Sequence, residues 1–149
     1  MRMPKSSNPM PASGYSGTPL IKKLGLMPGQ RACILNAPVD FPKTLGALPT
    51  GIQLIQRLPK TRSLDFIHFF TKDRNKLQKT FPKLQAALSW AGILWISWPK
   101  RASKVPTDLN ENIVREIGLD LGLVDVKVAA VDEIWSRLKF MYRVEDRPR

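Results

Sequence analysis

The sequence predicts an α/β fold: a three-layer sandwich of about six strands, mostly parallel, closed by a C-terminal antiparallel hairpin. Three observations carry this. Short apolar runs bounded by Pro and Gly turn signals alternate with segments whose apolar residues recur at helical spacing. The link between the second and third strands, residues 59–63, is too short for a crossover helix. The chain closes as helix, strand, strand, and its last strand alternates apolar and charged residues.

Residues 1–13 are rich in Pro, Ser and Met, lack periodicity, and read as a disordered tail. Residues 14–143 read as one domain and 144–149 as a C-terminal tail. Residues 14–19 (GYSGTP) read as an ordered turn, with Thr18 as cap and Pro19 as first residue of a short helix over 19–26. Pro28-Gly29 turns the chain into a first strand at 31–36, apolar enough to be buried on both faces. A weak helix follows near 42–48. The second strand is expected at 51–58 and the third, the most apolar, at 64–71.

Residues 73–90 predict a helix, because Leu77, Phe81, Leu84 and Leu88 form one stripe. Pro82 interrupts it and predicts a kink or two short helices. Ala91-Gly92 is expected to end it before a fourth strand at 93–98. Asp108 and Glu111 have capping-box spacing for a helix to Leu121 with Ile113, Ile117 and Leu121 inward; Gly122 stops it. The fifth strand is expected at 123–132, with Val124, Val126, Val128 and Ala130 on one face and Asp125 and Lys127 on the other. After a turn at 133–136 the sixth runs over 137–143. There Leu138, Phe140 and Tyr142 face inward and Arg137, Lys139 and Arg143 face water. The expected strand order is second, first, third, fourth, sixth, fifth.

The 149 residues suffice for one core. No apolar run approaches the ~20 residues of a membrane span, and the first residues lack the apolar stretch of a secretory signal. Cys33 is alone, so no intrachain disulfide forms. These features predict a cytoplasmic protein with no membrane partner. The net charge of +12 is uneven: residues 57–104 carry eleven basic and two acidic side chains, while residues 105–149 carry seven and nine. A one-sign field attracts polyanions; its plainer role is keeping a small protein dispersed.

The segments Leu24–Arg31 (LGLMPGQR) and Leu84–Ser97 (LQAALSWAGILWIS) resemble the lead-in and the helix–Gly–strand unit of class I methyltransferases. The predicted topology resembles that Rossmann-like fold with one edge strand and two helices deleted. A closer resemblance spans Gly14 to about Arg143. GYSGTPL, LNAP, SWPK, VPTDLNENIVRE, GLVDVKV and VDEIWSRLKF resemble an uncharacterised bacterial family, domain of unknown function number 3052. It implies a small cytosolic protein and supplies no catalytic residues to carry over.

A methyl-donor site needs glycines after the first strand, so that backbone N–H groups approach the ligand. Here Asn36-Ala37-Pro38-Val39-Asp40 has none, and Pro38 removes an N–H. The second strand ends in Gln56-Arg57, without the acid that would hold ribose hydroxyls. The third ends in Phe70-Thr71-Lys72. S-adenosylmethionine is therefore disfavoured and no cofactor is expected. The alternative is the edge made by strand C-termini, where Asn36, Thr71, Lys72, Ser97, Trp98, Lys100, Thr107 and Asp108 should gather as a binding site for an anionic small molecule or protein. Lys72, Lys100, Arg101 and Lys104 make it positive, and the helix N-terminus at Asp108 adds to that. The plainer reading makes Thr107 and Asp108 caps and Trp98 core.

His68, mid-strand among aromatics, reads as a core residue, since no partner acid is near in sequence. Cys33 reads as a small buried hydrophobe, and Asp132-Glu133 as solvated turn residues. One His and one Cys exclude a zinc site of ordinary ligands, and no Walker loop is present. Lys72, Arg74, Lys76, Lys79 and Lys83 near Trp90, Trp95 and Trp98 suggest weak, non-specific nucleic-acid binding. Two functional classes follow: a non-catalytic binding module, which the absent motifs favour, and an enzyme using Lys100 or Asp108 at the same edge.

Overall fold

A computed structural model describes residues 18–148. The expected tail and residues 14–17 of the expected turn lie outside the described residues. The elements are α1 (Leu20–Leu24), β1 (Arg31–Leu35), α2 (Phe41–Leu45), β2 (Gln53–Ile55), β3 (Leu64–Phe70), α3 (Arg74–Ala87), β4 (Leu88–Pro99), α4 (Glu111–Asp120), β5 (Leu123–Ala130) and β6 (Trp135–Tyr142). They form one six-stranded sheet of order β2-β1-β3-β4-β6-β5, as expected from the sequence. β1, β2, β3 and β4 pair in parallel; β6 runs antiparallel to both β4 and β5.

The sheet separates two apolar layers. Leu94, Ile96 and Trp98 of β4 pack with Leu77, Phe81 and Leu84 of α3 and Val114 and Ile117 of α4. Trp95 faces the other way, with Leu24 of α1, Phe41 and Leu45 of α2, Phe66 and Phe70. A strand alternates its side chains, so β4 serves both cores.

Several local expectations are corrected. Pro19 is the cap position of α1 rather than its first helical residue, and no side chain caps that helix. β2 is only three residues long, because it lies at the sheet edge with Gln53 and Leu54 exposed. α3 is one unbroken helix through Pro82, an exposed residue. The neighbouring Phe81 and Leu84 are fully buried, and their packing outweighs one lost backbone bond. α3 ends at Ala87, earlier than Ala91-Gly92, because β4 already pairs with β3 from Leu88. Gly92 lies inside that strand beside a register shift; a Cβ there would meet the Leu64 carbonyl oxygen at 3.0 Å. The inward residues of α4 are Val114, Ile117 and Gly118, while Ile113 and Leu121 are half-buried. Gly122, at φ 92°, ends the helix as expected. The C-terminal segment forms a 3₁₀ turn at Val144–Asp146, and Arg147 donates to the Tyr142 carbonyl at 3.0 Å.

The closing hairpin departs most. β5 carries a bulge between Asp125 and Lys127. Asp125 stands opposite Phe140 and bonds Arg115 of α4 at 2.8 Å, whereas Lys127 stands opposite Lys139 on the α1 side. The extra residue, Val126, sends these two side chains to opposite faces, where simple alternation puts them together. Val126 and Val128 are left exposed. Arg137, expected in water, is 1% exposed.

α4 approaches β6 so closely that a Cβ on Gly118 would lie 2.2 Å from the Phe140 ring. Phe140 is fully buried and packs edge-on against Phe81 at 5.4 Å. Gly118→Ala gains roughly 1 kcal/mol of helix propensity and forces overpacking that costs about 1–3 kcal/mol or more. We expect net destabilisation, read as a lower urea midpoint at unchanged slope; a midpoint at or above wild type contradicts this packing.

Candidate functional site

The C-terminal ends of β1, β3 and β4 point the same way, and the loops that leave them form one edge. Two recesses open there. One, of about 510 Å³, lies between the β1 and β3 ends and is lined by Asn36, Pro38, Thr71, Lys72, Lys76 and Trp135, among others. The second, of about 600 Å³, follows β4 and includes Trp98, Lys100, Arg101, Lys104, Thr107 and Asp108. The predicted site residues therefore divide. Asn36, Thr71 and Lys72 share the first recess; Trp98, Lys100, Thr107 and Asp108 share the second; Ser97 lines neither. The rims are tied together, because Thr107 Oγ1 donates to the Lys72 carbonyl at 2.7 Å.

Ser97 misses the edge because of strand parity. It lies on the Trp95 side of β4, fully buried, with its Oγ 2.7 Å from His68 Nε2. His68 stacks on Phe70 at 4.1 Å and meets the Phe41 ring edge-on at 5.4 Å. Its Nδ1 is buried without a partner. Burial, and secondarily the nearby Arg137 charge, push the His68 pKa down to about 3. This is a neutral core histidine, as its surroundings in sequence indicate. Cys33 is also fully buried, and burial raises its thiol to about 11.

The capping box is corrected. Asn110 caps α4, accepting from the Ile113 N–H at 2.9 Å. Asp108 reaches across to α3 and accepts from the Arg74 N–H at 2.8 Å. Asp73 accepts from the Lys76 N–H, so two carboxylates already occupy the α3 N-terminus. Positive potential at this edge comes from side chains: Lys72, Lys76, Arg101 and Lys104 are exposed and Lys100 half-exposed. Among the described residues the two ion pairs both belong to Arg115, with Glu111 and Asp125.

The turn after β1 contains no glycine. Asn36 takes φ 58°, Pro38 has no N–H, and its carbonyl is used by the Phe41 N–H at 2.9 Å. Val39 projects fully into solvent. Gln56 and Arg57, just past β2, are exposed. No group of three His, Cys, Asp or Glu side chains among the described residues is placed to hold a metal. Nor is any helix among them long and apolar enough to cross a membrane.

Comparison with solved structures establishes the scaffold. A SAM-dependent methyltransferase from Aquifex aeolicus superposes with a TM-score of 0.57 at 15% identity, covering 83% of this chain and 88% of that one. DhpI, solved in complex with SAH, gives 0.59 at 10% identity over 88% and 83%. Magnesium protoporphyrin IX methyltransferase from Synechocystis PCC 6803, also with bound SAH, gives 0.51 at 13% over 83% and 78%. The fold is methyltransferase-like. No family model matches the chain, so the resemblance to domain of unknown function 3052 stays an expectation, and no curated protein matches it.

Sequence reasoning missed two arginines. Arg62 lies 4.0 Å over the Trp90 ring, bonds the Leu88 carbonyl at 2.9 Å, and also donates to Tyr142 Oη. It occupies one face of Trp90, which is half-buried, while Trp95 and Trp98 are buried. Arg137 stacks on Trp95 at 4.5 Å. The signal for Arg62 is its place in a link too short to hold a helix; Arg137, in an alternating strand, carried none.

His68 predicts an acid-sensitive fold. Its folded pKa lies below the unfolded value, so the unfolded chain binds the extra proton as pH falls. The stability is fully present above pH ~6.5 and is lost toward pH 3, with a slope approaching ~1.4 kcal/mol per pH unit. Urea midpoints of wild type should fall between pH 6.5 and 4. Those of His68→Gln should fall less, and parallel profiles would refute the assignment.

Proposed function

We propose that this chain is a non-catalytic binding module on a methyltransferase-like scaffold, and that it engages an anionic ligand at the carboxy edge of its sheet. One observation carries the reading: Lys72, Lys76, Lys100, Arg101 and Lys104 line the two edge recesses and make no ion pair with any described carboxylate. Cations left unpaired around concave surface lower the energy of an incoming anion. Catalysis is disfavoured by what lines the recesses. Neither His68 nor Cys33 reaches them, so the two side chains best suited to proton transfer or nucleophilic attack are out of play. S-adenosylmethionine is disfavoured because the Asn36–Asp40 turn lacks approachable backbone, Pro38 contributing no donor. Trp95 and Trp98 are buried and Trp90 is half-buried under Arg62, which leaves nucleic-acid binding with little but charge to support it.

Amide-shift mapping separates these readings. Inorganic pyrophosphate titrated at low salt should move the signals of Lys72–Lys76 and Arg101–Lys104, and Lys72→Gln with Lys100→Gln should weaken that response roughly tenfold, about 1.4 kcal/mol. S-adenosylmethionine should leave the Asn36–Asp40 signals in place. Saturable donor binding there at micromolar concentration would make the chain a divergent methyltransferase instead.

A further inference from the structure

A third basic recess lies away from the carboxy edge, on the face of the hairpin turned toward α1. It encloses about 710 Å³ and is lined by Thr18, Lys22, Lys23, Lys127, Arg137 and Lys139, together with Ala129 and Ala130. Five of these side chains are cationic and none is acidic. The edge recesses differ, since Asp73, Asp108 and Glu111 stand among their cations.

Three features show that this arrangement is built into the fold. Lys127 and Lys139 are direct cross-strand partners, and like charges in that register repel. The β5 bulge creates the pairing, since without Val126 as an extra residue Lys127 would lie with Asp125 on the α4 face. Arg137, 1% exposed, is a buried cation with no carboxylate partner among the described residues: its Nε donates to the Ala130 carbonyl at 3.1 Å and its Nη1 to the Lys23 carbonyl at 3.3 Å. Its Nη2 makes no hydrogen bond within the described residues. Burial pulls the Arg137 pKa down to about 10. Burial first, then Lys127 and Arg137, holds Lys139 below its ordinary value. Buried charges are ordinarily paired; no described carboxylate supplies the counter-charge here. Residues 1–17, which lead to Thr18 at the rim, contain Arg2 and Lys5 and no acid.

We propose that this recess binds a linear oligophosphate group, free or carried on a nucleotide. Neutralising Lys127, Arg137 and Lys139, which stand together on two paired strands, needs several negative charges only a few ångströms apart. A condensed phosphate chain places a charge at nearly every phosphorus and presents several acceptor oxygens to each. An acidic peptide strand brings carboxylates to one face only every second residue, about 7 Å apart. Arg137 is pre-positioned by its stack on Trp95 and its two carbonyl contacts, so its guanidinium loses little freedom on binding. Lys127 and Lys139 then supply charge from the two strands.

The test is thermal unfolding of the full chain with sodium tripolyphosphate and, separately, ATP, each against sodium chloride of equal ionic strength. Wild type should gain roughly 5 °C in Tm at about 100-fold excess over Kd. Equal gains assign the free phosphate chain, and a larger gain with ATP assigns the nucleotide-borne form. Lys127→Gln with Lys139→Gln should remove most of the gain, leaving at most the smaller contribution of the carboxy edge, and leave the ligand-free Tm equal or higher, because the repelling pair is removed. That baseline shows that the variant folds, and Arg137 stays untouched. Lys72→Gln with Lys100→Gln, at the carboxy edge, should retain the larger part of the gain. No gain in wild type with either compound, an unchanged gain in the Lys127/Lys139 variant, or loss only in the edge variant overturns the proposal.

Discussion

The structure depends on β4, a twelve-residue strand buried on both faces. It pairs in parallel with β3 and antiparallel with β6, so it joins the parallel half of the sheet to the closing hairpin. Its alternate side chains supply both cores. Leu94, Ile96 and Trp98 meet the helices α3 and α4, while Trp95 meets α1 and α2. The Trp95 indole N–H donates to the Leu24 carbonyl at 2.8 Å, anchoring the last turn of α1 to the sheet. Burying a tryptophan requires such a partner, and here the partner positions a whole helix.

The same strand distributes the polar groups. On its Trp95 face it buries Ser97 against His68 and receives Arg137 from β6. Beyond its C-terminus it releases the basic loop whose Thr107 and Asp108 tie back to the start of α3. The carboxy edge thereby keeps the place where doubly wound sheets hold their ligands. The turn after β1 has no glycine and carries Pro38, which has no N–H. A scaffold of this kind retains concave surface and positive charge, and its buried His68 and Cys33 take no part in either.

Much of the fold is legible in the sequence because strands buried on both faces are continuous apolar runs. ILWISW and FIHFF carry that signature, and the stripe of Leu77, Phe81 and Leu84 marks α3. The ends of elements are less legible. Nothing local distinguishes the helical Ala87 from Leu88, the first residue of a strand; pairing with Leu64 decides it. Of the candidate site, Lys72, Lys100 and Thr107 lie at the edge as read, since they follow strand ends directly. Ser97 does not, because its neighbours in sequence carry no information on which core it faces. Asp108 and Glu111 have capping-box spacing, yet Asn110 starts the helix two residues after Asp108 and frees that carboxylate for α3.

Composition and order alone determined the layered α/β architecture, the strand sequence across the sheet and the cationic bias, since these follow from burial periodicity, link length and charge count. Only the tertiary structure decided which cations converge. Side-chain direction in a strand has a period of two, and a single extra residue at Val126 reverses it for everything that follows. That reversal brings Lys127 to the face of Lys139 and Arg137, and pairing across the sheet, absent from any local pattern, set it.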